Sequence, residues 1–107
     1  MLPKIYRLKK KDDFARVFHQ KRSFKELFLI LKKRPNDLNC SRFGIIVSSK
    51  ISKKATVRNR IRRIISEIVR LNLTGIKKSQ DMVFITMPGI DKKNYKEIEE
   101  NVKKLLF

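Results

Sequence analysis

One cysteine, three glycines, three prolines and no tryptophan occur in 107 residues, and acids are scarce too: ten Asp and Glu stand against 28 Lys and Arg. Each shortage excludes something. A single thiol, Cys40, cannot form an internal disulfide, has no metal-ligand spacing around it, and points to a reducing, cytoplasmic compartment. So few glycines leave no Gly-rich phosphate loop. No apolar run approaches the roughly 18 residues of a membrane span. No apolar stretch follows the basic first residues either, so neither an anchor nor a secretory signal is expected. The one histidine, His19, has no serine or cysteine motif near it, which leaves acid–base or nucleophilic catalysis without its usual groups. Asp12 and Asp13 are adjacent, so on a helix they point about 100° apart and cannot by themselves clamp two metal ions.

What the chain has in excess is positive charge, +18 in all. Such a charge is compatible with disorder, but 41% hydrophobic residues arranged with clear periodicity argue for one folded domain over residues 1–107. The charge is not spread evenly. Between Leu38 and Ser66 there are eight Lys or Arg residues and no acid. Within that stretch a helix is expected from about Ala55 to Leu71. Read at 100° per residue, Val57, Ile61, Ile64, Ile65, Ile68 and Leu71 form an apolar stripe. Arg58, Asn59, Arg62, Arg63, Ser66 and Arg70 fall opposite it, with Arg60 near its edge. A helix start carries partial positive charge and ordinarily attracts acids. Here Lys53, Lys54 and Arg58 crowd the first turn, a mismatch that a bound phosphate would reverse. A solvated basic helix is the plainer reading; the acid-free stretch and the wrong-signed start together favour a nucleic-acid surface.

The remaining elements follow in order. Residues 3–10 read as an extended basic lead-in. A short helix opens at Asp12 and Asp13, with Phe14, Val17 and Phe18 on one face. Two phenylalanines at that spacing are usually core, but they also suit a platform for unpaired bases. Phe28–Leu31 and Arg42–Val47 read as two strands joined through Pro35-Asn36-Asp37, an antiparallel hairpin over residues 27–48. Gly44 inside a strand marks a bulge or a close approach to the backbone. Met82–Thr86 is a third strand, ended by Pro88-Gly89. A last helix starts near Asn94, capped by Asn94 and Glu97, with Tyr95, Ile98, Val102 and Leu105 inward and Glu99–Lys103 and Glu100–Lys104 as surface pairs. A sheet with helices packed on it, an α+β sandwich, is the expected architecture.

Arg58-Asn59-Arg60-Ile61-Arg62-Arg63, preceded by Ser52-Lys53-Lys54-Ala55 and followed by Glu67, resembles the Arg-Asn-Arg signature helix of the protein subunit of bacterial ribonuclease P. Arg7-Leu8, Asp13-Phe14, Val17-Phe18, Arg42-Phe43-Gly44 and Asp81–Ile85 before Pro88 match in the same order. Ser49, Ser66 and Met87 depart from the family pattern, and Gln20-Lys21-Arg22 stands where a glycine is usual. The resemblance implies an αβββαβα two-layer sandwich, like domain 2 of a small-subunit ribosomal protein, with a left-handed βαβ crossover against the general rule. It implies that an RNA subunit holds Mg2+ and removes the 5′ leader of precursor tRNA, with one protein per RNA. The protein would contact that RNA through Lys53, Lys54, Arg58, Asn59, Arg60, Arg62 and Arg63, and the leader through Phe14, Phe18 and Leu31. The alternatives are a ribosomal protein, with the same charge logic and no leader cleft, and a cationic protein lying on anionic lipid.

Overall fold

The computed structural model describes residues 2–20 and 23–107; Lys21 and Arg22, part of the segment that replaces the family's glycine, lie outside the described residues. Among the described residues three α-helices, α1 (Lys11–Phe18), α2 (Ala55–Leu71) and α3 (Tyr95–Leu106), accompany four strands, β1 (Phe24–Glu26), β2 (Leu29–Pro35), β3 (Arg42–Ile46) and β4 (Gln80–Thr86). The chain order is αβββαβα, the α+β sandwich that the resemblance implies.

The sheet runs β1-β2-β4-β3. β2 pairs antiparallel with β4 along its whole length, from Leu29 opposite Thr86 to Pro35 opposite Gln80. β3 lies on the other side of β4 and runs parallel to it, Gly44 opposite Val83. The expected hairpin over residues 27–48 is therefore wrong: β4 sits between its two arms. Asn36 does make the turn expected of it, its Oδ1 accepting from Leu38 N at 2.9 Å. The turn leads into a longer link, held by Asn36 Nδ2 donating to Cys40 O at 3.2 Å. The actual hairpin is β1–β2, closed through Leu27 and Phe28 with Leu27 at φ 40°.

Side chains alternate across the sheet, and the two faces have different covers. Leu29, Leu31, Phe43, Met82 and Phe84 join Ile61, Ile65, Ile68 and Val69 of α2 and Ile98 and Val102 of α3 in the main core. On the other face Val83 and Leu8 bury Val17 of α1, with Phe14, Ile46 and Ile85 packed around them. Gly44 is the close approach anticipated from sequence, and what approaches is the Phe14 ring.

The buried side of α2 is turned further toward Val69 than the stripe suggested. Val69 is fully buried while Leu71, about 200° round the helix from it, is 58% exposed. Tyr95 is likewise exposed, beside Arg63 and Glu67, whereas Asn101 is buried, its Oδ1 accepting from Phe28 N at 3.1 Å. Asn94 and Glu97 form the anticipated capping box. Lys104 reaches Glu26 of β1 at 3.7 Å rather than Glu100. The lead-in is not extended throughout: Lys4–Tyr6 make a 3-10 turn before Arg7 bridges to Phe43.

Candidate nucleic-acid interface

α2 enters without a side-chain cap and with no acid in its first turn. Ser52 Oγ accepts from Lys54 N at 3.2 Å, just ahead of the helix. The first free peptide N–H groups of α2 therefore open among Lys53 and Lys54, both exposed.

The seven cations and amides singled out from sequence do not form one face. Lys53, Lys54, Asn59 and Arg63 are exposed. Arg58 and Arg62 are half-buried along one flank, where they brace the segment before the helix. Arg58 Nη1 donates to Ser52 O at 2.8 Å, and Arg62 donates to Val47 O at 3.3 Å and to Asn59 Oδ1 at 2.8 Å. Arg60 lies on the opposite flank, with Nη2 donating to Asp91 O at 3.0 Å. Each of the three retains donors beyond those bonds, because a guanidinium carries five. Farther along, Arg70 pairs with Glu67, whose carboxyl the bond holds below its ordinary range, and this closes the acid-free surface.

On the second sheet face, Phe18 is 39% exposed and Phe14 half-buried, so the aromatic pair divides between surface and packing. Leu31 does not belong with them. It is 1% exposed and points into the main core, across the sheet from α1. Strand alternation explains the error: Leu31 pairs with Phe84, whereas its neighbours Ile30 and Lys32 pair with Ile85 and Val83 and share the α1 face. Lys32 is the residue that sequence reasoning missed. Its Nζ lies 5.8 Å from the Phe18 ring centre and donates to Phe18 O at 3.3 Å. The period-2 pattern of β2 carried that signal.

A second cluster fixes α1 to the sheet. Arg42 grips Asp81 with two nitrogens, Nε at 2.9 Å and Nη2 at 2.7 Å, and reaches Asp13 of α1 with Nη1 at 3.3 Å. Asn36 Nδ2 adds a bond to Asp81 at 2.8 Å. The Asp81 bond holds the Arg42 guanidinium above its ordinary pKa. Both buried acids are thereby committed to an arginine. Among the described residues no group of three or more His, Cys, Asp or Glu side chains converges as a metal site.

A basic flank, an exposed ring beside a lysine, and buried acids tied up in structure are the features expected of an RNA-binding α+β protein. Comparison with known proteins makes the class specific. A family model described as Ribonuclease P matches residues 2–107. The ribonuclease P protein component of Clostridium novyi is 39% identical over 98% of this chain and 94% of its own length. Among solved structures, a ribonuclease P protein from Thermotoga maritima superposes with TM-score 0.86 at 32% identity, covering 94% of this chain and 96% of that one. One from Staphylococcus aureus gives TM-score 0.87 at 26% identity, covering 94% and 92%. The chain belongs to the ribonuclease P protein family, components of a tRNA-processing ribonucleoprotein enzyme. These structural matches are ribonuclease P proteins and not ribosomal ones, which decides against the ribosomal alternative. No described helix is long and apolar enough to cross a membrane.

Proposed function

We propose that α2 docks on the RNA subunit of ribonuclease P while the α1 face of the sheet holds the 5′ leader of precursor tRNA, one protein to one RNA. The observation that carries this is the division of the surface. Lys53 and Lys54 face solvent at an uncapped helix start, Arg63 faces solvent two turns farther along, and Phe18 with Lys32 lies on the other face of the sheet. Cations between two polyanions lower their repulsion, and a ring accepts unpaired bases with little sequence preference. Hydrolysis and Mg2+ belong to the RNA in this reading. Of the protein's carboxylates, the two buried ones, Asp13 and Asp81, are each paired with Arg42.

Reconstitution with the RNA subunit from the same cell tests it. At low magnesium, adding the protein should raise precursor tRNA cleavage, and the gain should shrink when the leader is shortened to a single nucleotide. Cleavage by purified protein freed of all RNA, or a gain indifferent to leader length, would overturn the proposal.

A further inference from the structure

Between the N-terminal segment, the outer edge of β3 and α2 lies a groove enclosing about 240 Å³. It is neither the Phe18 face nor the tip of α2. Its walls are apolar, from Leu8, Phe14, Phe43 and Ile45, with Gly44 in the lining beneath the Phe14 ring. Its rim is cationic, from Arg7, Arg62 and Arg63, and no acid lines it. Two of the three arginines are already braced. Arg7 Nε donates to Leu2 O at 2.6 Å, and Arg62 is held by Val47 O and Asn59. Bracing of this kind lowers the ordering cost of binding.

The backbone adds a reading edge. β3 is an edge strand, and the N-terminal segment covers it through Leu8 N donating to Phe43 O at 2.9 Å. Peptide groups alternate sides along a strand, so Ile45, two residues on, turns its N–H and C=O to the same outer edge. The groove thus offers apolar walls, one peptide donor and acceptor, and guanidinium groups at the mouth. Its volume lies below the ~300–1,000 Å³ of sites for drug-sized ligands.

We infer that this groove takes a single unstacked nucleotide of the RNA on which α2 docks, the base between the apolar walls and its phosphates on Arg7, Arg62 and Arg63. The inference rests on the proposed docking of α2, because two of the rim arginines belong to that helix. It adds a base-dependent contact to a surface otherwise read as purely electrostatic.

Two measurements test it on the full chain. In NMR titrations, adenosine monophosphate should shift the signals of Leu8, Phe43 and Ile45, while inorganic phosphate at equal concentration should move the arginine signals alone; identical responses would overturn the inference. The second uses Ser66→Phe, which fills the groove from its α2 wall without removing charge. Affinity for the RNA subunit should fall about tenfold, the size of one lost base contact, with the salt dependence unchanged. Unchanged affinity in a folded Ser66→Phe would sink the groove and leave α2 docking intact. Failure of the unsubstituted chain to bind the RNA with any salt dependence would sink both. If Ser66→Phe does not fold, the mononucleotide comparison decides alone.

Discussion

The ring of Phe14 occupies the space that a side chain on Gly44 would need: a Cβ there would lie 2.4 Å from Phe14 Cε1 and 2.5 Å from Cζ. One α1 residue thus rests on the backbone of β3, and the seat of α1 on the sheet depends on a missing side chain. Gly44→Ala should push the ring off its seat and cost about 1–3 kcal/mol, the usual range for overpacking. In urea unfolding, Gly44→Ala combined with Phe14→Leu should cost less than the sum of the single changes. Strict additivity would mean that the ring is not what excludes a side chain at Gly44.

Helices were legible because their information is local. α2 was expected and found at Ala55–Leu71, and the capping box of α3 lay in two residues, Asn94 and Glu97. Strand pairing was not local, and there the reading failed. Nothing between Leu29 and Ile46 states that β4, more than 30 residues on, will insert between β2 and β3. β1 escaped because Phe24-Lys25-Glu26 is short and carries two charges in three residues, as edge strands often do. The site suffered the same way. Arg63 is exposed as expected and Phe18, left open between core and platform, is exposed too, while placing Leu31 required the register of β2 against β4.

Phe18 separates function from folding better than Phe14 does. It is 39% exposed, whereas Phe14 is half-buried against Gly44, so Phe18→Ala should lower the unfolding midpoint less than Phe14→Ala does. In the holoenzyme it should weaken binding of leader-bearing precursor tRNA by about tenfold and leave mature tRNA unaffected, if one base–ring contact is lost. Equal losses for the two substrates would remove Phe18 from the leader's path.

Asp81 ties stability to pH. Burial alone would raise its pKa, but hydrogen bonds from Arg42 and Asn36 outweigh it and hold the carboxyl below its ordinary value. A depressed folded-state pKa contributes stability that is full above the unfolded value, near ~3.9, and is lost as pH falls through the folded value. Asp81→Asn should therefore unfold at lower urea than the unsubstituted chain at about pH 6, and the gap should narrow by about pH 3. A gap that stays constant over that range would mean the carboxylate charge is not what Arg42 holds.

Arg60 and Arg63 lie three apart in the signature helix, and the fold gives them different work. Arg63 is exposed, so Arg63→Ala should leave the thermal midpoint where it was. It should lower affinity for the RNA subunit and reduce the slope of log affinity against log salt by about 1, as expected for one lost phosphate contact. Arg60 is half-buried and donates to Asp91 O at 3.0 Å, fastening α2 to the turn that precedes α3. Arg60→Ala should cost about 1 kcal/mol of stability, the net worth of one such bond. Its salt slope should change less than that of Arg63→Ala, because the guanidinium is partly engaged within the protein. Lysine at position 60 restores the charge without the fork of donors, so Arg60→Lys should recover the slope before it recovers the midpoint. If Arg60→Ala and Arg63→Ala give the same slope change and neither moves the midpoint, both arginines are free RNA contacts, and the anchoring of α2 at Asp91 has no energetic weight.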